Sequence, residues 1–254
     1  MSKHSPDKKS ALDRVCEDTV RLGYWGSAAR MRCYVNYLFD GVPLDGRSFL
    51  DVGGGVGIFC AAARALGAAR ALCLEPGGAG ANDGIKSVAG QGNAPEVYGK
   101  MVEFHTTTVE AYIGGNERDT RGFDVILLHN VINHLDESAC TSLHRNQSAR
   151  EVYSEKIRSL TQLAAPGGVL ILCDCARSNF YPAVGLTNPL MRTIEWDKHQ
   201  NPSLWRELFA QSEWTHVQTS WTTPNMWGRP GRLLGNCVCS YFLLGHFRMV
   251  LKRN

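Results

Sequence analysis

The sequence Leu50-Asp-Val-Gly-Gly-Gly-Val-Gly57 joins two segments of different character. Before it, the apolar run 48–52 is typical of a buried strand. After it, the alanine-rich stretch 58–66 predicts a helix that Gly67 is suited to cap. Glycine adopts unusual backbone angles and lets the main chain approach a ligand closely. A loop of this kind between a strand and a helix predicts a site for a nucleotide-like cofactor.

Two common nucleotide-binding patterns do not match this loop. The dinucleotide fingerprint G-x-G-x-x-G needs a small third residue, and counting from Gly53 that residue is Ile58. A triphosphate-binding loop needs a lysine next to its last glycine, but no lysine occurs between Lys9 and Lys86. A triphosphate loop is therefore excluded, and a nicotinamide-dependent oxidoreductase is the weaker alternative.

Strand-like and helix-like segments alternate on both sides of the loop. Apolar runs that predict further strands lie at 71–74, 101–105, 123–128, 169–173, 216–221 and 241–251. The central runs are apolar on both faces, which indicates a parallel sheet that helices cover on each side. The pattern predicts an α/β fold with a doubly wound sheet of about seven strands.

Five motifs in order carry a family resemblance. Asp51, Gly53, Gly55 and Gly57 form [DE]-x-G-x-G-x-G, and Glu75 follows Asp51 by 24 residues. The other three motifs are Thr107-Thr-Val-Glu110, Leu128-His-Asn-Val-Ile-Asn-His-Leu-Asp-Glu137 and Pro166-Gly-Gly-Val-Leu-Ile171. Together they resemble the motifs of class I S-adenosylmethionine-dependent methyltransferases of the small-molecule type. The resemblance implies a Rossmann-like sheet, mostly parallel with an antiparallel C-terminal strand, and S-adenosyl-L-methionine as the cofactor.

The resemblance also implies which residues bind that cofactor. They are Asp51, Gly53, Gly55, Glu75, Thr108, Val109, His129 and Asn130. Glu75 stands where the family chelates both ribose hydroxyls, and Asn130 is placed on the amino-acid part of the cofactor. Thr108 stands where the family contacts adenine and usually has Asp or Asn.

Two histidines are candidate catalytic bases. Methyl transfer needs a positioned nucleophile, and a neutral hydroxyl nucleophile also gains from a base, for which histidine is the usual choice. His134 is the first candidate because it follows the fourth strand, where open α/β sheets bind ligands. The alternative is that His134 packs at the start of the next helix, with Asp136 as its N-cap. His199 is the second candidate, and its alternative is a surface segment before Pro202.

Two residues are predicted to contact the substrate, which we expect to be a small molecule methylated on oxygen rather than nitrogen. Trp196 lies in the polar and aromatic cluster 195–200 and is suited to form a pocket wall. Arg229 lies in the Gly- and Pro-rich loop 222–235, which is predicted to cover the substrate. With Arg232 in the same loop, an anionic substrate is expected.

Length and composition indicate one globular domain in a chain of 254 residues. We expect a mobile polar tail over 1–14 and a single methyltransferase domain over 15–254. Within it, a helical cap covers about 15–42 and a substrate-region insertion covers about 176–212. The glycine-rich segment 77–92 has no counterpart in the family pattern, which there begins a firm helix.

The cysteines and the hydropathy of the sequence indicate where in the cell the protein is expected. No run of about 18 apolar residues occurs, so no membrane span is expected. Nine cysteines without a secretory signal indicate reduced thiols and a cytoplasmic location. The pairs Cys173/Cys175 and Cys237/Cys239 are interpreted as neighbours on one face of a strand, so no metal is expected.

The net charge of +3 comes from the chain ends. Residues 1–14 carry +2 and residues 228–254 carry +5, which leaves −4 for residues 15–227. This distribution argues against a nucleic-acid partner, which favours a basic working surface. An RNA or protein methyltransferase and a non-catalytic methyltransferase-like partner subunit remain alternatives.

Overall fold

The computed structural model describes residues 6–77, 98–116, 120–224, 227 and 231–254. They form two compact units, one of residues 1–128 and 163–168 and the other of residues 129–162 and 169–254. Across this part of the chain, no helix is both long and apolar enough to cross a membrane. The predicted extent of a single domain over 15–254 remains a prediction.

The first unit begins with two helices, α1 (Pro6–Arg21) and α2 (Ala28–Leu38). The prediction of a mobile tail is wrong for residues 6–14, because α1 begins at Pro6 and buries Leu12 together with Val15. The apolar spacing of α1 therefore extends further towards the N-terminus than the charged residues suggest. Ser27 caps α2 by accepting a hydrogen bond from the Arg30 amide.

Four strands of the first unit lie side by side in parallel. The elements of this region are β1 (Ser48–Val52), α3 (Ile58–Ala65), β2 (Arg70–Leu74), β3 (Glu103–His105), α4 (Val109–Gly114) and β4 (Phe123–His129). β1 pairs with β2 and with β4, and β2 pairs with β3. β1, β2 and β4 are nearly fully buried, as their continuous apolar runs predict.

The second unit holds the remaining elements. They are a 3-10 helix (Ile132–Leu135), α5 (Glu137–Ser142), α6 (Gln147–Leu163), β5 (Ala164–Cys175), α7 (Phe180–Ala183), a 3-10 helix (Trp196–Lys198), α8 (Pro202–Ala210), β6 (Trp214–Trp221), a 3-10 helix (Arg232–Leu234), α9 (Cys237–Phe242) and β7 (His246–Arg253). The last residue of α6 and the first residues of β5 belong to the first unit. β7 pairs antiparallel with both β5 and β6.

The seven strands follow the order β3-β2-β1-β4-β5-β7-β6. The predicted mostly parallel sheet with antiparallel C-terminal pairing is confirmed. Its last strand begins at His246 rather than at residue 241, because Cys237–Phe242 form α9, which Asn236 caps through the Cys239 amide. The interpretation of Cys237 and Cys239 as strand neighbours is therefore wrong.

Candidate functional site

The glycine loop after β1 has a backbone that only glycine adopts easily. Gly53, Gly55 and Gly57 have φ values of 66°, 55° and 78°. These angles lie in the left-handed region, where other L-residues are strained. The Gly53 amide donates to the Leu74 carbonyl at 2.7 Å, which ties the loop to the end of β2.

Gly54 is tightly packed, although the family pattern leaves this position open. A Cβ atom there would lie 2.7 Å from the Asp51 carboxyl group and 2.7 Å from the Cys73 sulfur. Asp51 and Cys73 are fully buried in a close-packed interior, so neither side chain can move aside. Any side chain at position 54 would therefore displace the loop or the acid beneath it.

Two carboxyl groups flank this loop. Asp51 is fully buried, and among the described residues neither of its carboxyl oxygens has a hydrogen-bond partner. Burial, followed by the nearby Glu75 charge, raises the pKa of Asp51 well above its usual range. Glu75 is half-buried, and its Oε2 accepts a hydrogen bond from the Gly55 amide at 2.9 Å. An unpaired acid under a glycine cradle, with a second acid at its rim, fits a polar adenosine ligand.

A groove follows the end of β3 at the start of α4. It has a volume of about 750 Å³ and is lined by Phe104, His105, Thr106, Thr107, Ala111, Tyr112, Gly115 and Asn116. Thr108 caps α4 by accepting from the Ala111 amide, and Val109 is buried. Thr108 and Val109, which are predicted to contact adenine, thus lie beside a groove with aromatic side chains. The Thr108 hydroxyl already accepts the hydrogen bond that caps α4.

A polar network around the buried residues Thr222 and His246 follows β4 in the second unit. Asn130 has a left-handed φ of 54°, and its amide donates to the Cys173 carbonyl at 2.8 Å. Its side-chain Oδ1 lies 2.9 Å from His246 Nε2, and His246 Nδ1 lies 3.1 Å from the Thr222 hydroxyl. The His129 ring lies 6.1 Å from the His246 ring.

The partners of His246 determine its tautomer. The Asn130 Oδ1 can only accept, so His246 Nε2–H donates to it. In the neutral ring Nδ1 then accepts, and the Thr222 hydroxyl donates to it. The carbonyl end of the Asn130 side chain is thereby held.

Burial keeps this network uncharged. It lowers the pKa of His129 to about 4, and it lowers the pKa of His246 to about 3 with help from His129 and His199. Folding lowers the pKa of these histidines below the value of about 6.5 that they have in the unfolded chain. Below pH 6.5, the unfolded chain therefore binds protons that the folded chain does not bind. The stability that each neutral histidine contributes is therefore lost as the pH falls from about 6.5 towards the pKa of that histidine in the folded chain.

We expect His246→Gln to weaken the acid sensitivity of the protein. Gln keeps an N–H donor for Asn130 but does not titrate. Between pH 7 and pH 5, the free energy of unfolding of the unaltered protein should fall by about 2 kcal/mol more than that of the variant. Urea unfolding at the two pH values measures this difference. Equal losses in both proteins would show that folding does not lower the pKa of His246.

The predicted base His199 forms a buried pair with an acid at the end of β5. Its Nδ1 lies 2.9 Å from Asp174 Oδ1, and the two side chains are 13% and 1% exposed. Because a carboxylate oxygen accepts, Nδ1–H is the donor, and in the neutral ring Nε2 carries the free electron pair. Among the described residues, Asp174 Oδ2 has no hydrogen-bond partner. The pair has the arrangement that orients a histidine base.

The other predicted base, His134, belongs to a more exposed ion-pair cluster. Its Nδ1 lies 2.6 Å from Glu137 Oε1, and Lys198 Nζ lies 3.2 Å from Glu137 Oε2. These two pairings lower the pKa of Glu137. Asp136 caps α5 by accepting from the Ala139 amide, as the structural alternative for this segment predicts. Glu137 is thus shared between His134 and Lys198, whereas His199 is the hydrogen-bond partner of Asp174 among the described side chains.

The predicted substrate residue Trp196 is half-buried and packs on a glycine that precedes β7. A Cβ atom on Gly245, which has a φ of 63°, would lie 3.0 Å from the Trp196 ring. The predicted contact Arg229 and the neighbouring Met226 lie outside the described residues, as does most of the glycine-rich segment 77–92.

Motif reasoning missed three polar residues of these networks, namely Asp174, Thr222 and His246. Asp174 gives a weak sequence signal, because it is an acid within the apolar run that becomes β5. Thr222 and His246 give none, since they stand at the ends of two strands that pair only in the folded chain.

Comparison with solved structures supports the fold. An S-adenosylmethionine-dependent methyltransferase from Mesorhizobium loti is 14% identical, with a TM-score of 0.54 over 87% of this chain and 96% of that chain. The magnesium protoporphyrin IX methyltransferase of Synechocystis PCC 6803 is 18% identical, with a TM-score of 0.53 over 89% and 83%. An O-methyltransferase family protein from Burkholderia thailandensis is 15% identical, with a TM-score of 0.54 over 97% and 60%.

The sequence itself places the chain in a family. No curated protein matches it. A family model described as a methyltransferase domain matches residues 25–220, which is more than half of the chain and includes the glycine loop, β4 and β5. The seven-stranded order and the acid-flanked glycine loop agree with that match. The chain belongs to the methyltransferase-domain family and is an enzyme of that type.

Proposed function

We propose that the enzyme transfers a methyl group from S-adenosylmethionine to a hydroxyl oxygen of a small molecule. The observation that carries this proposal is the buried His199–Asp174 pair. An amine or carboxylate acceptor can react without a base, whereas a neutral hydroxyl gains from one. A histidine held by a buried acid at the end of a sheet strand therefore favours an oxygen acceptor.

The cofactor-binding residues of the first unit support the donor. The bound cofactor supplies an activated methyl group on a sulfonium. Glu75 would accept from both ribose hydroxyls, and Asp51 would receive a polar partner that it lacks among the described residues. The aromatic groove beside Thr108 and Val109 suits the adenine ring.

Asn130 is proposed to hold the amino-acid part of the cofactor. The carbonyl oxygen of its side chain accepts a hydrogen bond from His246, which the Thr222 hydroxyl orients. The amide N–H groups would then donate to the carboxylate of the cofactor. His129 stays neutral beside them, since burial lowers its pKa to about 4, so this histidine adds no charge near pH 7.

The His199 base is proposed to act through Nε2. Nε2 would take the proton of the acceptor hydroxyl as the oxygen attacks the methyl carbon, the bond from that carbon to sulfur breaks and adenosylhomocysteine leaves. The imidazolium that forms keeps its Nδ1–H bond to Asp174, whose negative charge stabilises it. His134 is the rival base.

Trp196 is proposed to form one wall of the acceptor site, and Arg229 to meet an anionic group of the acceptor. The −4 charge of residues 15–227 supports a small-molecule acceptor over RNA. Among the described residues no disulfide joins any of the nine cysteines, which supports the proposed cytoplasmic location.

Calorimetric titration and a transfer assay test the proposal. We expect adenosylhomocysteine to bind and NAD to show no heat. With labelled S-adenosylmethionine, a panel of phenols should be methylated faster than the matching anilines. Binding of NAD alone would contradict a methyltransferase. Adenosylhomocysteine binding without transfer to any small molecule, RNA or protein would favour a non-catalytic partner subunit.

A further inference from the structure

The proposed base His199 lies in a long loop with little regular structure. The loop joins α7 to α8, and in its described residues it forms one 3-10 helix, Trp196–Lys198. Residues 191–199 are all half-buried or exposed, so apolar burial does little to fix this part of the chain. Loops of this kind move unless they are tied down, whereas a catalytic group must be held to within about 0.5 Å. The backbone that carries His199 therefore needs support from other residues.

Cys140 of α5 contacts the residues on both sides of His199. Its Sγ–H donates to the Lys198 carbonyl at 3.2 Å, and its own carbonyl accepts from the Gln200 side-chain amide at 2.5 Å. Lys198 directly precedes His199, and Gln200 directly follows it. We call these two hydrogen bonds the Cys140 clamp. One residue of a helix thereby restricts the chain before and after the base.

The groups that form the Cys140 clamp are buried. Gln200 is 1% exposed, although the nine residues before it are half-buried or exposed. A buried amide is costly unless it is hydrogen-bonded, and the bond to the Cys140 carbonyl offsets that cost. Burial also raises the pKa of the Cys140 thiol to about 12. The thiol therefore keeps its proton near pH 7 and can donate it to the Lys198 carbonyl.

The helix that bears the clamp is itself anchored. The Tyr153 side chain of α6 is fully buried, and its hydroxyl lies 3.0 Å from the Ile132 carbonyl and 3.1 Å from the Asp136 carbonyl. Asp136 in turn caps α5. The same stretch of chain, which follows β4, contains Asn130, the residue proposed to hold the cofactor. The clamp therefore ties the loop of the base to the segment that carries a proposed cofactor contact.

Two further contacts hold the loop from the side of β5. The Arg177 guanidinium donates to the Asp197 carbonyl at 2.5 Å, and the Ser178 amide donates to Asn201 Oδ1 at 3.1 Å. Arg177 and Ser178 come directly after β5. The five residues centred on His199 are thus bonded to the chain after β5 as well as to α5.

From these contacts we infer that Cys140 and Gln200 are positioning residues for the proposed base. They hold the backbone of His199 where its Nδ1 meets Asp174, and so they fix the direction in which Nε2 points. Each acts through His199 and not on the reacting atoms. This role rests on the proposed function, because it explains how the base of that reaction is held in a loop.

Two buried-amide variants test this positioning role. Gln200→Met keeps the length of the side chain and removes its amide. Asn188→Leu is the matched control, because Asn188 lies in the same loop, is likewise 1% exposed and donates to the Leu243 carbonyl at 2.6 Å. In proton NMR spectra, the His199 Nδ1–H signal is identified by its absence from His199→Asn. Its exchange with water should be about tenfold faster or more in Gln200→Met and unchanged in Asn188→Leu. Urea unfolding checks that both variants are folded.

A second pair of variants tests the thiol. Cys140→Ser keeps a donor for the Lys198 carbonyl, whereas Cys140→Ala removes it. We expect the His199 Nδ1–H signal to exchange with water faster in Cys140→Ala than in Cys140→Ser. Equal exchange rates in the two variants would remove Cys140 Sγ from the positioning role.

Turnover of two phenols separates lost positioning from a general loss of structure. Para-cresol keeps its proton at mildly alkaline pH and gains from a base, whereas para-nitrophenol is largely ionised there and needs none. Gln200→Met should lower kcat for para-cresol by about 10–100-fold, because small displacements of a catalytic group are costly. For para-nitrophenol the loss should be less than about threefold. Equal large losses for both phenols would overturn the positioning role.

The exchange rates and the turnover fail in different ways. Slow exchange retained in Gln200→Met, or an equal acceleration in Asn188→Leu, would overturn the positioning role whatever the turnover. Faster exchange in Gln200→Met alone, with kcat unchanged for both phenols, would leave the Cys140 clamp standing and refute His199 as the base. If the unaltered protein methylated neither phenol, the exchange rates would still decide between a clamp and no clamp.

Discussion

Replacing His199 with asparagine should lower kcat by about 10²–10⁴-fold, the range that general-base catalysis contributes. Asn Nδ2 can occupy the position of the imidazole Nδ1 and still donate to Asp174, so the buried acid keeps its partner. What the variant lacks is the basic Nε2. The binding of adenosylhomocysteine, measured by calorimetry, should therefore stay within about twofold of the unaltered protein.

His134→Asn is the matched control, because it likewise preserves a donor to a neighbouring carboxylate, Glu137. Its kcat should change by no more than about threefold, since the His134–Glu137 contact is more exposed than the His199–Asp174 contact. The larger loss in His134→Asn would make His134 the base and reduce His199 to a positioning residue. Unchanged kcat in both variants would mean that the acceptor reacts without a histidine base.

Replacing Glu75 with alanine should weaken adenosylhomocysteine binding by about 100-fold. Two hydrogen bonds from ribose hydroxyls to a carboxylate contribute roughly 1.5–3 kcal/mol each, part of which water restores in the variant. The variant also removes the acceptor of the Gly55 amide, which holds the loop against Glu75. Calorimetric Kd values measure the effect, and kcat at saturating cofactor should fall far less than the affinity.

Glu103→Ala controls for the loss of a carboxylate from the same unit. Glu103 pairs with Arg70 on the neighbouring strand at 2.8 Å and is half exposed. Its removal should change the affinity for adenosylhomocysteine by less than about twofold, as expected for a surface ion pair. If Glu75→Ala bound the cofactor as tightly as Glu103→Ala, the ribose would have to lie elsewhere than beside Glu75.

Much of the first unit could be predicted from the sequence, because its signals are local. A strand, a glycine turn and a helix occupy consecutive residues, and the three left-handed glycines stand where the motif has them. The tail prediction was wrong over residues 6–14 because charged residues hid the apolar spacing of Leu12 and Val15. The packing of Gly54 could not be predicted, since it depends on Cys73 of the neighbouring strand.

The sequence by itself determined the α/β class, the cofactor loop and the family, because periodicity and motif spacing depend on residues close together in the chain. Only the tertiary structure decided which polar groups meet. His246 reaches Asn130 across 116 positions, and His199 reaches Asp174 across 25. Within the second unit, such contacts are set by the antiparallel pairing of β5 with β7 and by the burial of Asp174 and His246.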